Sequence, residues 1–257
     1  MLFGMEQEVI TIKNPLPFSP DSLVKSNISK SHTGEGTFFE SRDLPGKVIR
    51  LENSDELIER HHNKIPFGEL VRTGKELFAE LVEKYGIAVP VTFYERNGEV
   101  YSVVDKVTEA EEISEEEKKE HASKISKLYA SIASYFLDKL KGGDLYLWDI
   151  CGASQYVYGK REGDEKNNVY LIDTDIWLGN SRSGLCLTMY WLTRHMSASE
   201  KKFGAHFADA RSSISDFIQT LPDDLDDEEK LHVSEIKKLL NGINSDYRPQ
   251  SAIPTFE

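Results

Sequence analysis

The chain has 257 residues, 39% of them hydrophobic, and its 44 acidic residues outnumber its 31 lysines and arginines for a formal net charge of −13. This apolar content is enough for a substantial core, which excludes a wholly disordered chain. The acidic balance excludes a general nucleic-acid binder and a polybasic membrane anchor, because both need a basic surface.

Neither a membrane segment nor a metal-binding cysteine motif is indicated. The sequence has no apolar run of the roughly 18 residues that span a bilayer, and Met1–Lys13 lacks the apolar run of a signal peptide. Cys151 and Cys186 form no CxxC pair and have no zinc-ligand spacing, so we expect two buried or half-buried thiols in a reducing compartment. The sequence therefore predicts a cytoplasmic protein with no nucleic-acid and no membrane partner, and it leaves the oligomeric state open.

The first hundred residues alternate between strand patterns and one helix pattern. The predicted elements are strands at Thr37–Ser41 and Lys47–Glu52, a helix at Phe67–Tyr85, and strands at Val89–Glu95 and Glu99–Val104. Arg42–Gly46 carries the Pro and Gly of a tight turn. Asn97-Gly98 is a strong hairpin signal, and Gly86 stands where a C-cap glycine would end the helix. The pattern predicts two β-hairpins separated by one helix.

The rest of the chain is dominated by helix patterns. Asp105–Glu120 is a charged connector that runs into a helix start, with Ser114 and Glu117 as a capping box. The predicted elements after it are a helix at His121–Leu140, strands at Tyr156–Tyr158 and Val169–Ile172, and helices at Leu185–His195, Ala205–Leu221 and Asp227–Asn241. The polar segment Gly159–Asn168 joins the two strands, and we expect it to be solvent-exposed and tolerant of shortening.

Two features of the N-terminal strands point to a phosphate ligand. Gly34 and Gly36 lie just before or at the first strand, where a glycine-rich turn lets the backbone come close to a phosphate. Arg50 is on the next strand and shares a face with Val48, so it would lie near the ligand of that turn. An ordinary turn and a half-exposed arginine paired to a nearby acid are the alternatives.

Two acidic residues bracket the strand pair in the second half of the chain. Asp149 follows the apolar segment Tyr146–Trp148, and Asp173 follows the apolar strand Val169–Ile172. Because the ends of a hairpin lie side by side, we expect both carboxylates to face one cleft, with Arg50 across it. Carboxylates in apolar surroundings are costly without a partner, and Mg²⁺ prefers oxygen ligands. The alternative is that each acid caps a turn or a helix.

From about Thr33 to Met196, the order of these motifs resembles that of the protein-kinase-like superfamily. The family's three loop glycines and its strand lysine correspond to Gly34, Gly36, Phe39 and Arg50, of which the last two depart from the family pattern. The helix Phe67–Tyr85 takes the place of the family helix that carries a glutamate. Glu76 or Glu80 is favoured for that role, in which it would pair with Arg50.

The segment that ends in Asp149 resembles the family's catalytic loop. Leu147 stands where the family has histidine, and Asp149 stands at the catalytic aspartate. Ser154 and Gln155 are near the position of the family's metal-binding asparagine, which is missing. The resemblance implies that Asp149 accepts or orients the proton of the attacking hydroxyl.

The segment Leu171–Asp173 resembles the strand that leads into the family's metal-binding aspartate. Thr174-Asp175 replaces the Phe-Gly that follows this aspartate in the family. The resemblance implies Asp173 as a Mg²⁺ ligand, with Ser154, Gln155 or Asp175 as further candidates.

The resemblance implies an α+β, two-lobed protein-kinase-like fold with a small β-rich N-lobe and a mostly helical C-lobe. The predicted parts are an N-terminal extension at 1–30, the N-lobe at 31–104, a hinge at 105–112, the C-lobe at 113–244 and a tail at 245–257. ATP and Mg²⁺ are the implied cofactors, and phosphoryl transfer to a small-molecule or other hydroxyl acceptor is the implied reaction. Only about a dozen residues separate Asp173 from the next predicted helix, too few for a long activation segment.

Two alternatives stay open. Arginine keeps the charge of the expected lysine but is bulkier and forked, and the family's histidine and asparagine are replaced. A catalytically inactive, kinase-like nucleotide-binding or scaffold protein is therefore the first alternative. The second is an unrelated α+β interaction domain whose acidic residues are ordinary surface caps.

Overall fold

One antiparallel sheet forms the N-terminal part of the protein. The computed structural model describes residues 15–26, 36–52, 65–97, 99–111, 114–152, 155–173, 176–243 and 247. After a short 3-10 turn (Pro20–Ser22), the strands are β1 (Leu23–Lys25), β2 (Gly36–Ser41), β3 (Leu44–Glu52), β4 (Val91–Arg96) and β5 (Glu99–Asp105). Their spatial order is β1-β2-β3-β5-β4. Both predicted hairpins are therefore present, and the pairing of β3 with β5 joins them into one sheet.

The first hairpin turns earlier than the sequence predicted. Only Arg42 and Asp43 connect β2 to β3, since Ser41 already pairs with Leu44. The Ser41 hydroxyl accepts a hydrogen bond from the Asp43 N–H at 3.1 Å, which closes the turn. The Pro and Gly that suggested the turn lie inside β3, where Gly46 has a φ of +74°, a conformation that favours glycine.

Helix α1 (Phe67–Glu80) follows the predicted pattern and continues as one π-helical turn (Leu81–Tyr85). It ends at Gly86, whose φ of +65° is that of a left-handed cap. Gly74 lies on the buried side of α1, and a Cβ placed there would be 2.7 Å from the Ile176 side chain. The absence of a side chain at Gly74 lets α1 pack directly on the chain that follows Asp173.

The C-terminal part is mostly helical and carries two small sheets. Its helices are α2 (Glu115–Gly142), α3 (Arg182–Phe203), α4 (Ala208–Thr220) and α5 (Asp227–Leu240). Its strands are β6 (Thr108–Glu109), β7 (Tyr146–Leu147), β8 (Tyr156–Lys160), β9 (Asn168–Leu171) and β10 (Leu178–Gly179). One sheet has the order β6-β8-β9, and β7 pairs with β10 in the other. The chain is thus a mixed α/β protein with a sheet-rich N-terminal region and a helical C-terminal region.

Helix α2 begins at its predicted capping residue. The Ser114 hydroxyl oxygen accepts a hydrogen bond from the Glu117 N–H at 3.1 Å and donates one to the Glu117 carboxylate at 2.9 Å. Ser114 is thus confirmed as the N-cap, while the Glu117 carboxylate of the predicted capping box contacts the Ser114 hydroxyl. The charged residues that follow it, predicted as the end of a connector, form the first turns of the helix itself.

The polar segment between β8 and β9 is anchored by its own side chains. The Asp164 carboxylate accepts hydrogen bonds from the Tyr170 hydroxyl at 2.6 Å and the Arg161 N–H at 2.8 Å, which lower the pKa of Asp164 to about 2. The Arg161 guanidinium lies 5.0 Å from the Tyr170 ring centre and 3.9 Å from the Asp105 carboxylate. Most of the segment is exposed, but these contacts are a reason to expect that shortening it has a cost.

Two apolar clusters lie on opposite faces of the N-terminal sheet, because side chains alternate along each strand. The small cluster contains Phe18, Ile49, Tyr101 and Val103. The large cluster joins side chains of β4 and β5 to α1 and to the helices of the C-terminal part. Within the described ranges, no helix combines the length and the apolar content that crossing a bilayer requires.

Candidate functional site

Arg50 is a buried cation on strand β3, with 3% of its surface exposed. The register of the sheet places it between Phe38 of β2 and Ser102 of β5. Strand alternation puts Arg50 and Glu52 on one face, while Ile49 points into the small cluster on the other. A cation withdrawn from water is costly unless it is paired, so its neighbours determine whether the site is stable.

Two carboxylates from distant parts of the chain flank this guanidinium. The Nη1 atom of Arg50 lies 3.3 Å from Oδ1 of Asp173, and its Nε atom lies 3.4 Å from Oε2 of Glu52. The Ser102 hydroxyl donates a hydrogen bond to Oε1 of Glu52 at 2.6 Å. The Phe38 ring centre lies 5.4 Å from the guanidinium carbon, within the range of a cation–π contact. We call Phe38, Arg50, Glu52, Ser102 and Asp173 the arginine cluster.

The arginine cluster has more negative than positive charge, and its acids differ in exposure. One guanidinium faces two carboxylates, so the ionised cluster carries a net formal charge of −1. The Glu52 side chain is 1% exposed, whereas that of Asp173 is 29% exposed. Solvent therefore reaches the cluster at Asp173, and a cation that approached from outside would meet that carboxylate.

Strand β9, which ends two residues before Asp173, is paired on both of its edges. Tyr156 of β8 pairs with Leu171, and the Ile172 N–H donates to the Gln155 carbonyl at 3.0 Å. On the other side, the Leu171 N–H donates to the Ile87 carbonyl at 3.0 Å, just after α1. Because backbone pairing fixes the end of β9 on both edges, the Asp173 side chain begins from a well-defined position.

Asp149 lies just beyond β7 and borders a cavity of about 280 Å³. The Trp148 N–H donates to the Trp177 carbonyl at 3.1 Å, so the residue before Asp149 is paired with a residue four positions after Asp173. The indole rings of Trp148 and Trp177 meet edge to face with centres 5.0 Å apart. The expectation that both carboxylates face one cleft with Arg50 stays a prediction for Asp149, while Arg50 and Asp173 are in contact.

The chain after Asp149 is fixed by internal hydrogen bonds. The Gln155 side-chain oxygen accepts from the Gly152 N–H at 2.8 Å, and the Tyr156 hydroxyl donates to the Ile150 carbonyl. The Cys151 thiol points to the Thr188 carbonyl at 3.7 Å. Burial raises the pKa of the Cys151 thiol well above its ordinary value, and the Asp149 charge adds to this effect. The Cys151 side chain therefore contributes an uncharged thiol to the lining of the cavity at pH 7.

Three residues predicted to bind the cofactor have other surroundings. Glu80 forms an ion pair with Lys139 of α2, and Glu76 is exposed on α1. The carboxylates beside Arg50 are instead those of Glu52 and Asp173, because strand alternation and the end of β9 bring them there. Phe39 packs against the small cluster on the face opposite Arg50, which places its neighbour Phe38 at the guanidinium.

Gly34, Ser154 and Asp175 lie outside the described residues, and their predicted roles stay predictions. Gly36 begins β2 and pairs with Glu52 at the far end of β3. The predicted glycine turn thus leads directly into the strand that borders the arginine cluster. The Gln155 side chain is buried and its oxygen closes the loop onto Gly152, which gives it a partner other than the predicted metal.

The described residues provide one clear carboxylate for a divalent cation. Among them, no group of three or more His, Cys, Asp or Glu side chains is placed to hold a metal ion. Mg²⁺ is commonly held by one or two carboxylates together with water and substrate phosphates. The partly exposed Asp173 carboxylate is compatible with that donor set.

Sequence reasoning did not identify Glu52, Ser102 and Phe38 as members of the cluster. The signal for Glu52 was present, since a residue two positions after Arg50 on a strand shares its face. Ser102 and Phe38 depend on the register between strands, which follows from the pairing of residues far apart in the chain.

Comparison with known proteins adds little to this description. No protein-family model matches the chain, and no curated protein matches it. The chain is similar at 10% identity and a TM-score of 0.27 to a solved structure of the Shewanella oneidensis MR-1 toxin–antitoxin system, a complex of HipA, HipB and operator DNA. The similarity covers 85% of this chain and 64% of that chain, so this chain spans less than two thirds of its length. At this TM-score, the similarity is no basis for a conclusion about fold or activity.

Proposed function

We propose that this chain is a two-lobed, protein-kinase-like phosphotransferase that uses ATP and Mg²⁺ to phosphorylate a hydroxyl group of a small molecule. The observation that carries the proposal is the contact between Arg50 and Asp173, 123 positions apart in the chain. It brings the cation of an N-terminal strand to a carboxylate that follows β9, at the two positions where the kinase-like pattern has its phosphate-binding lysine and metal-binding aspartate.

Each residue of the site has a distinct part in this proposal. Arg50 would contact the phosphates from the sheet side, and Asp173 would bind Mg²⁺ from the other side. Bound MgATP supplies the γ-phosphoryl group, with the metal neutralising charge on its oxygens. Asp149 would take the acceptor's hydroxyl proton as the acceptor oxygen bonds to the γ-phosphorus and ADP leaves with the bonding electron pair. The protein contributes placement and charge neutralisation.

A second candidate is a kinase-like protein that binds nucleotide without transferring phosphate. The observation that favours it is the double pairing of Arg50, because Glu52 and Asp173 already compensate the guanidinium that phosphates would need. The helix glutamates that could stabilise an active arrangement are an exposed Glu76 and a Glu80 paired with Lys139.

The test of the proposed function is thermal unfolding with ATP, with and without Mg²⁺, followed by an ADP-release assay. We expect a metal-dependent rise in the melting temperature of the wild type, because a ligand that binds only the folded state stabilises it. Asp173→Asn should lose this rise, since the variant keeps the size of the side chain and removes the charge that Mg²⁺ requires.

Asp138→Asn is the matched control. Asp138 is another partly exposed carboxylate with a cationic partner, Lys84, and its substitution should leave the Mg²⁺-dependent rise intact. A full wild-type rise in Asp173→Asn would refute the metal-ligand role. A Mg²⁺-dependent rise without ADP release would favour the binding protein over the phosphotransferase.

A further inference from the structure

An open groove of about 720 Å³ lies between α2 and the segment that joins α3 to α4. Residues from the first turns of α2, the last residues of α3 and the first residues of α4 line it. It shares no lining residue with the cavity beside Asp149, and no member of the arginine cluster borders it. The groove is therefore a surface feature that the proposed function does not use.

The groove is positively charged in a protein whose formal net charge is −13. Four lysines line it, namely Lys118, Lys119, Lys127 and Lys202. The acids in the lining are Glu115 and Asp209. With the lining histidine neutral, these residues give the groove a formal charge of +2, which is opposite in sign to the charge of the whole protein. An approaching anion is attracted by such a local concentration of cations.

Three of these lysines have no acidic partner of their own. Lys118 is paired with Glu115, with Nζ and Oε1 2.6 Å apart. Within the described ranges, Lys119, Lys127 and Lys202 form no ion pair. The ammonium of Lys202 lies 5.1 Å from the centre of the Phe203 ring, which also lines the groove. Three cations from two helices are thus left to interact with carboxylates from outside.

The base of the groove is apolar. Its apolar lining consists of Ala122, Phe203, Ala205 and Phe207. Ala122 and Phe207 are buried while the lysines are exposed, so apolar surface lies at the base and charge at the edge. A small inorganic anion would use only the edge. A nucleic acid would extend beyond the groove over a surface that is acidic overall.

We propose that this groove binds an acidic peptide segment of a partner protein. One apolar side chain of the segment would pack on the base, and carboxylates on either side of it would meet the lysines. Charges more than about 8 Å apart are largely screened at physiological ionic strength. The acids elsewhere on the molecule therefore oppose binding less than the adjacent lysines favour it. This binding requires no nucleotide.

The test is fluorescence anisotropy with three synthetic peptides that carry the same dye. The first has glutamates on both sides of one leucine, the second has serine in place of the leucine, and the third has lysines in place of the glutamates. We expect saturable binding of the first peptide that weakens as salt is added. The serine peptide should bind about tenfold more weakly, because it buries no apolar side chain. The lysine peptide should not bind.

Two triple variants test whether the groove itself is the site. The groove variant carries Lys119→Gln, Lys127→Gln and Lys202→Gln. The control variant carries Lys75→Gln, Lys166→Gln and Lys237→Gln, at lysines outside the groove. All six side chains are exposed, so we expect both variants to fold, and both lose the same charge. The groove variant should bind the leucine peptide about tenfold more weakly, whereas the control variant should keep the wild-type affinity.

Several results would overturn the proposal. No saturable binding of the leucine peptide, equal binding of the serine peptide, or equal losses in the two triple variants would each do so. Tighter binding of tripolyphosphate or of a single-stranded oligonucleotide would assign the groove to another polyanion. Dimerisation of the wild type that is lost in the groove variant alone would assign it to a second copy of this chain. A rise in melting temperature with MgATP is measured separately, so the proposed function stands or falls independently.

Discussion

The arginine cluster and the Asp149 cavity place their charged groups in opposite settings. Arg50 is buried against two carboxylates supplied by the protein itself. Asp149 borders a space that is lined by the side chains of Trp148 and Trp191. The comparison teaches that the two halves of one candidate site call for different measurements. Stability reports on the cluster, whose charged groups contact one another, and ligand binding reports on the cavity.

The largest expected effect comes from breaking the cluster. Arg50→Met removes the cation beside the buried Glu52 carboxylate, and breaking a buried ion pair in this way costs about 3–5 kcal/mol. The free energy of unfolding in urea should fall by that amount. Adding Glu52→Gln should restore part of the loss, because no uncompensated charge then remains at that position. A loss below about 1 kcal/mol in Arg50→Met would show that the cluster is hydrated and not a buried pair.

A smaller effect is expected where α1 meets the chain after Asp173. Gly74→Ala would place a Cβ 2.7 Å from the Ile176 side chain, and overpacking of this kind costs about 1–3 kcal/mol. The gain of about 1 kcal/mol from alanine in a helix offsets part of that cost. Urea unfolding should show a net loss that shrinks in an Ile176→Val background, where the side chain is smaller. Equal losses in both backgrounds would place the cost elsewhere on α1.

The smallest expected effect concerns His195, which lines the cavity beside Asp149. Because the folded state lowers the pKa of His195, the unfolded chain binds this proton more readily. The stability contributed by neutral His195 is present above its ordinary pKa of about 6.5 and is lost as the pH falls below it. The loss between about pH 7.5 and about pH 5.5 should be smaller in His195→Gln, by less than about 1 kcal/mol.

Much of the fold was predictable because its signals are local. The Phe67–Tyr85 pattern with Gly86 after it gave α1 and its left-handed end, and Ser114 marked the start of α2. The glycine and proline near Arg42 led to a wrong prediction of where the turn lies. The Ser41 side chain closes the turn at a position before these two residues. Local chemistry predicts an element well unless a neighbouring side chain offers the backbone a competing hydrogen bond.

The elements and contacts that were missed depend on distant residues. The strands β6, β7 and β10 have two residues each, too few to leave an alternating pattern. The Arg50–Asp173 contact was expected in outline from the resemblance, while the position of Glu52 beside Arg50 was not. The walls of the Asp149 cavity come from two elements, because Trp191 lies on α3, and no spacing in the sequence joins it to Trp148.

The pairing of Leu171 with the segment after α1 also bears on the order in which the chain can fold. Ile87, Ala88 and Val89 are buried, and they lie against β9 through hydrogen bonds from the Leu171 N–H to the Ile87 carbonyl and from the Val89 N–H to the Leu171 carbonyl. A growing chain that has not reached β9 leaves these apolar residues uncovered, and such long-range pairing slows folding because the intervening loop must close first. The N-terminal sheet and α1 therefore complete their packing only after the chain has been synthesised past β9.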